Sequence, residues 1–284
     1  MHSVLVYHTI NEAEGQSDCP ERISPGRFEQ QLKWLARRRT VVPLNETLTC
    51  SRNRSVAAIT FDDGYRDNLT IALPLLEKYQ LPMTLFVVAG FVGRENYLSQ
   101  DELREMAKHP LVTIGSHGLW HRHFTALSTK DARFELIESR RRLRSMIDKP
   151  VYLLAWPYGE CNAELEALSG ECGYRASWSV WKGSNSMHSR WRVPLGNRDN
   201  MLRFIAKASG IYGMTEAKWH RYQAAKQNGR LIPTVEGRPA PTSLKSARYA
   251  RNGIPANEDE TKFTRKNAST PRRPRQPHAG AARA

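Results

Sequence analysis

No run in the 284 residues approaches the roughly 20 consecutive apolar positions that a membrane-crossing helix requires. The amino terminus lacks the marks of a secretion signal too. Residues 4–7 are too short for an apolar h-region, and neither a basic stretch nor a small-residue cleavage site flanks them. The expectation is a chain that stays in the cytoplasm, with a first strand starting almost at Met1. Cysteine is scarce: Cys19, Cys50, Cys161 and Cys172 lie far apart and form no C-x-x-C pair. That argues against cysteine-held zinc and, without a secretion signal, for free thiols. Cys161 follows Gly159 closely, but nothing around it marks a nucleophile. There is no internal repeat, which excludes a solenoid, and no nucleic-acid motif.

Acidic residues are in the minority, and the net charge is +15. The excess is uneven. Residues 215–284 hold 15 of the 43 Lys and Arg but only 5 of the 28 Asp and Glu. This segment is rich in Pro, Gly, Ser and Asn and has no sustained apolar period, so from about residue 225 it is read as a disordered basic tail. Such a tail can be a solvated extension or an electrostatic contact for anionic lipid or polymer; nucleic acid offers the same charge. The domain division is therefore 1–214, folded, and 215–284, largely disordered.

Within the first part, with 40% of the chain apolar, short apolar runs alternate with helical patterns. Strands are predicted over 4–7, 41–42, 56–61, 83–88, 111–114, 151–154, 174–177 and 191–195. Helices are predicted over 28–38, 68–79, 128–147 and 162–168, the third with Phe134, Ile137, Leu143 and Met146 as its apolar face and an arginine-rich solvated face. A further helix to Lys108 opens on Ser99-Gln100-Asp101-Glu102, a capping box. Repeated β-α units with near-continuous apolar strands indicate an α/β fold on a parallel sheet.

The chemistry sits where two of these strands end. The run 56–61 stops at Asp62-Asp63-Gly64, and α/β folds place reactive groups at the carboxyl ends of strands. A loop with a helix-capping aspartate would use the same residues. The run 111–114 leads to Ser116-His117 and, four residues on, His121. A helical turn or tight loop can aim both imidazoles at one point, although such a pair can equally be surface or core. Two histidines and a carboxylate with an open position form the zinc-hydrolase arrangement. Asp63 can supply that carboxylate, leaving Asp62 free beside the metal as a base.

Thr60-Phe61-Asp62-Asp63-Gly64 followed by Ser116-His117-x-x-x-His121 resembles the polysaccharide deacetylases (carbohydrate esterase family four, the NodB-homology domain). Tyr7-His8 and Ala155-Trp156-Pro157-Tyr158-Gly159 fit the same family, and the resemblance runs from Val4 to about Phe204. It implies an irregular (β/α) barrel of seven or eight strands. It implies a divalent metal, zinc above all with cobalt or nickel fitting the same ligands, held by Asp63, His117 and His121. Asp62 would be the general base, and the backbone N–H of Tyr158 would help bind the oxyanion.

The chain departs from the family pattern twice. Many members carry an arginine two residues before the Pro-Tyr pair, where this chain has Ala155. Arg192 either reaches in as a substitute or is an exposed arginine. The late Leu-x-His segment that usually supplies the general acid is missing; His220 and His278 lie in other contexts, which leaves His188 and His8, the latter ending the first strand beside the metal. His109 and His123 are read as structural. Trp178 and Trp181 either wall a sugar or acetyl pocket or pack the core.

The resemblance thus implies a metal-dependent hydrolase that removes N-acetyl, or O-acetyl, groups from a polysaccharide or oligosaccharide. Its partner is an acetylated glycan, with the basic tail as a peripheral contact to an anionic membrane or polymer. The rival readings are a glycan-binding barrel impaired in catalysis by the absent acid and arginine, and a nucleic-acid-associated protein built on the tail. Retention of Asp62 argues against pure binding, which needs no base.

Overall fold

A computed structural model describes residues 2–12, 19–50, 55–180 and 186–210. The basic tail, His220, His278 and Trp181 lie outside the described residues. The chain runs through β1 (His2–Tyr7), β2 (Thr9–Ile10), β3 (Arg22–Ile23), α1 (Pro25–Arg38), β4 (Thr40–Val41) and β5 (Val56–Phe61). Next come α2 (Leu73–Lys78), β6 (Met83–Val87), α3 (Gln100–Lys108), β7 (Val112–Ser116) and α4 (Thr129–Ile147). The last elements are β8 (Leu153–Ala155), α5 (Ala163–Glu171), β9 (Ala176–Ser179), β10 (Arg190–Trp191), β11 (Val193–Pro194) and α6 (Met201–Ala208).

Eight strands form the parallel path β10-β9-β8-β7-β6-β5-β1-β11, with β4 beside the start of β5. The two ends of the path are consecutive in sequence. Trp191 pairs with Ser179 of β9, while Val193 pairs with Leu5 of β1. One short segment thus borders both edges and nearly closes the sheet into the expected barrel.

Side-chain alternation divides the strands between two environments. Leu5, Tyr7, Ala57, Ile59, Phe61, Met83 and Leu85 join one cluster with Phe28, Leu32, Leu76, Leu103 and Met106 of the helices. Val4, Ala58, Phe86, Leu153, Ala155, Ala176 and Trp178 join another, the inner side of the barrel. This parity carries through the strand ends. Asp62 is in step with Ala58 and Thr60, and His117 is in step with Gly115, so both point to the barrel mouth. At Gly115 a Cβ would come within 2.5 Å of the Phe86 ring.

The Ser99 capping box forms as expected: Ser99 Oγ accepts from Glu102 N–H at 3.2 Å and Glu102 Oε2 accepts from Ser99 N–H at 2.9 Å. Three expectations are corrected. The helix expected over 68–79 is a π-wound turn, Asn68–Ala72, followed by α2; Pro74 has no N–H with which to close an α-type bond to Thr70. Strands β8 and β9 lie about two residues beyond the predicted runs, because pairing with their neighbours, rather than their own apolar pattern, sets where such short strands begin.

The third correction concerns α4. Phe134 and Ile137, expected on its buried face, are 49% and 48% exposed, whereas Ala132, Glu135, Leu136, Ser139 and Leu143 are buried. Polar bonds rotate the helix. Ser139 bonds Ser116 Oγ at 3.0 Å, and Glu135 accepts from two loop amides. One of its arginines is drawn in as well: Arg140 donates to Val151 O at 2.8 Å. No helix among the described residues is long and apolar enough to cross a membrane.

Candidate metal centre and its surroundings

Two adjacent aspartates serve one pocket because the backbone turns between them. Asp62 N–H still donates to Tyr7 O at 3.0 Å, extending the β1–β5 ladder. Asp63 then takes φ 74° and Gly64 φ 85°, which swings the second carboxylate to the same side. Gly64 suits its place twice, since a Cβ there would also press Val87 at 3.1 Å. The histidines are delivered by a loop rather than a helical turn. His117 N–H donates to Val87 O at 2.8 Å, and Gly118 (φ 80°) and His121 (φ 54°) fold the chain back. Non-glycine residues at positive φ store local strain, which surrounding structure must hold.

Asp63, His117 and His121 each present a ligand atom, and all three atoms lie within 4.8 Å of one another. Asp63 Oδ1 is 3.6 Å from His117 Nε2 and 3.4 Å from His121 Nε2, and it is buried with no hydrogen-bond partner. The Nδ1 of His117 lies 2.9 Å from the carbonyl oxygen of Ala155; donation there leaves Nε2 as a lone pair facing Asp63. Burial pushes both imidazoles down to about 4, so near neutral pH they are uncharged, the form that binds a metal. An orphaned carboxylate oxygen and two neutral imidazoles converging on one point fit a divalent cation.

Asp62 stands beside this trio and is gripped from behind. Arg192 Nη1 donates to Asp62 Oδ1 at 2.6 Å and Nη2 to Oδ2 at 2.7 Å, with both side chains buried. Burial alone would raise the Asp62 carboxyl, but the positive charge and hydrogen bonds of Arg192 hold it well below the usual carboxylate range. Nη1 also donates to Thr60 Oγ1 at 3.2 Å, and the guanidinium lies over Phe86. Arg192 is thus buried against Asp62 and is not an exposed arginine. Ala155 itself is fully buried.

The Tyr158 turn adjoins the trio. Tyr158 has φ 59°, and its ring centroid lies 4.6 Å from that of His121 and 3.5 Å from that of His123, stacked flat on the latter. His123, read as structural from sequence, is therefore part of the rim. His8 directly follows β1 and lies within electrostatic reach of both Asp62 and His121; its Nδ1 is buried without a partner. His188 is not brought to the site. Its Nδ1 is 2.9 Å from Ser169 Oγ on α5, and its ring packs against Gly170. His109 lies elsewhere, 2.8 Å from Glu77. Trp178 is fully buried in the barrel interior beside Phe86, so it packs the core. Burial raises the Cys161 thiol, which sits 3.4 Å from Ser189 Oγ.

Sequence reasoning passed over an aromatic wall on the other flank. Tyr65 and Tyr97 stack at 5.0 Å, and Phe91 lies 5.0 Å from Tyr97 and 6.5 Å from His121. The position of Tyr65 directly after Asp62-Asp63-Gly64 was the available signal; its partners lie too far along the chain to be found by spacing.

The family model of polysaccharide deacetylases matches residues 50–177. Among curated proteins, YxkH of Bacillus subtilis, named for the same family, is 27% identical over 189 residues, 64% of this chain and 66% of that protein. The poly-beta-1,6-N-acetyl-D-glucosamine N-deacetylase of Staphylococcus aureus is 29% identical over 185 residues, 56% of this chain and 61% of that protein. The aligned part thus spans less than two thirds of either relative. Among solved structures, the Streptococcus pyogenes deacetylase PplD in complex with acetate superposes with a TM-score of 0.66 at 19% identity, covering 72% of this chain and 97% of that one, which is a likeness of fold. Residues 50–177, which carry the paired aspartates and the paired histidines, thus match the polysaccharide deacetylase family.

Proposed function

We propose that this chain is a metal-dependent hydrolase that removes N-acetyl groups from a polysaccharide or oligosaccharide. The observation that carries the reading is the convergence of Asp63, His117 and His121 beside an Asp62 clamped by Arg192. Zinc suits two imidazoles and a carboxylate, and cobalt or nickel would fit the same ligands. Bound there, the metal supplies Lewis acidity, polarising the acetyl carbonyl and bringing the ionisation of water toward about pH 7.

The chain's own residues supply the rest. Asp62, ionised and fixed in direction by Arg192, accepts the proton of the attacking water. The Tyr158 N–H, aimed by a turn between Pro157 and Gly159, donates to the oxygen that becomes negative as water adds to the carbonyl carbon. When the carbon–nitrogen bond breaks, the leaving amine needs a proton, and His8, near Asp62 with its Nδ1 unpartnered, is the residue placed to relay it. The nucleic-acid reading gains no support from this geometry. The impaired glycan-binding barrel rested on a missing acid and a missing arginine; the Arg192 clamp on Asp62 supports the catalytic reading on the second count.

The test is acetate release from N-acetylglucosamine oligomers, β-1,6-linked chains first because the staphylococcal relative is named for that polymer. The protein is stripped with chelator and restored with zinc. Metal-dependent acetate release, lost in Asp62→Asn and His121→Ala, supports the reading. Zinc uptake without acetate release across several acetylated glycans overturns it in favour of a binding barrel.

A further inference from the structure

We infer that Glu135, in the second turn of α4, is a positioning residue that holds the metal-binding loop in shape. The inference rests on the metal-dependent reading above. Glu135 is 1% exposed, and its Oε2 accepts from the N–H groups of Leu119 at 2.9 Å and Trp120 at 3.0 Å. Those two residues lie between His117 and His121, so one carboxylate oxygen ties down the backbone that separates two of the three ligands.

The loop's other edge is fixed by the chain after β6. Ala89 N–H donates to Gly118 O at 3.1 Å and Gly90 N–H to Leu119 O at 2.8 Å. The Trp120 ring lies so close over Gly90 that a Cβ there would fall 2.4 Å from it. The amides of Leu119 and Trp120 point the opposite way, into the protein, where their acceptor is Glu135. One turn along the same helix, Ser139 bonds Ser116 Oγ, which in turn accepts from Gly118 N–H at 3.3 Å. Glu135 and Ser139 thus project from one face of α4 onto successive parts of the loop.

The physical need is specific. A loop with Gly118 and His121 at positive φ relaxes unless outside contacts hold it. A single Glu135 oxygen serves as acceptor for both amides in the middle of the loop. Removing it orphans two buried donors and lets Leu119 and Trp120 swing, separating the imidazoles that must meet on one ion. Outer contacts that orient metal ligands typically change affinity by about 10–100-fold.

The test measures zinc affinity by competition with a chromophoric chelator for the unaltered chain, Glu135→Leu, Glu135→Gln and Leu136→Ala. Glu135→Leu is expected to bind zinc at least about tenfold more weakly, with Glu135→Gln, which keeps an acceptor oxygen, recovering most of the loss. Leu136→Ala disturbs the neighbouring buried position on α4 and is expected to lower thermal stability without moving zinc affinity. In the metal-free chain, the Leu119 and Trp120 amides should exchange with solvent faster in Glu135→Leu than in Leu136→Ala. If Glu135→Leu does not fold, Glu135→Asp, which withdraws the carboxylate by one methylene, is read in its place. A folded Glu135 variant with unchanged affinity, or an equal loss in Leu136→Ala, overturns the inference and leaves the metal site standing. No zinc uptake by the unaltered chain overturns the metal reading itself.

Discussion

Arg192 closes on Asp62 with two parallel hydrogen bonds of 2.6 and 2.7 Å, although 130 residues separate them in sequence. The pair is buried, so removing the guanidinium would strand a carboxylate where water cannot compensate. Arg192→Ala is expected to cost about 3–5 kcal/mol of folding stability. With Arg192 gone, burial dominates and the carboxyl rises, so the acid limb of the activity profile should move to higher pH. Arg192→Lys keeps the charge but not the fork and should fall between the two. Urea denaturation and pH–rate profiles of acetate release check both expectations.

Asp62→Asn separates base from ligand. Asp63, His117 and His121 are untouched by the change, so zinc stoichiometry should stay near that of the unaltered chain. Acetate release should fall by about 10²–10⁴-fold, the usual contribution of a positioned general base. Metal analysis of dialysed protein alongside turnover assays distinguishes this from loss of the metal.

The two histidines beside the Tyr158 ring should behave differently. His121→Ala removes one of the three convergent ligand atoms and should abolish stoichiometric zinc binding. His123, which stacks on Tyr158 but lies outside the ligand trio, should tolerate alanine without loss of zinc. Its removal should instead alter KM by a few-fold through the Tyr158 turn, a change visible in substrate titrations.

Acidification should destabilise the metal-free chain before its carboxylates titrate. Burial holds His117 and His121 at about 4, against about 6.5 in the unfolded chain. Between those values the unfolded state binds protons that the folded state refuses, so stability is full above about pH 6.5 and falls as pH drops toward 4. Asp67 works in the opposite sense. Burial raises its carboxyl, so its contribution declines as pH rises above the ordinary carboxylate value. Asp62, held low, loses its contribution only below that value. Urea midpoints at pH 7, 5.5 and 4.5 with chelator present should decrease in that order.

Gly159 allows the Tyr158 turn to form. It has φ 70°, and a Cβ would lie 2.4 Å from Val180 Cβ, so Gly159→Ala meets both backbone strain and a clash. A loss of about 1–3 kcal/mol in stability is expected. Acetate release should drop further than stability alone explains, because the Tyr158 amide is displaced with the turn.

How much of this was legible in advance follows from the range of each interaction. Asp62, Asp63 and His117 were readable because they follow the ends of apolar runs, and His121 because it lies four residues beyond His117; both are local information. The parallel sheet and the Ser99 capping box were readable for the same reason, while closure of the sheet into a barrel was implied only by the family resemblance. By contrast, Phe134 and Ile137 looked like the buried face of α4 by spacing alone. The helix instead turns Glu135 and Ser139 inward, because the loop after β7 offers donors and acceptors that no helical pattern encodes. His188 looked available as an acid until α5 supplied Ser169 as its partner.

The sequence by itself determined the candidate trio Asp63, His117 and His121, the Asp62 beside it and the alternation of strand and helix, since these depend on residue type and on neighbours a few positions apart. Only the tertiary structure decided that Arg192 clamps Asp62, that His188 bonds to Ser169 on α5, and that Glu135 accepts from the loop between His117 and His121. Each of those depends on near-closure of the barrel or on the seating of a helix against it. Both bring together residues whose separation along the chain carries no mark of their meeting.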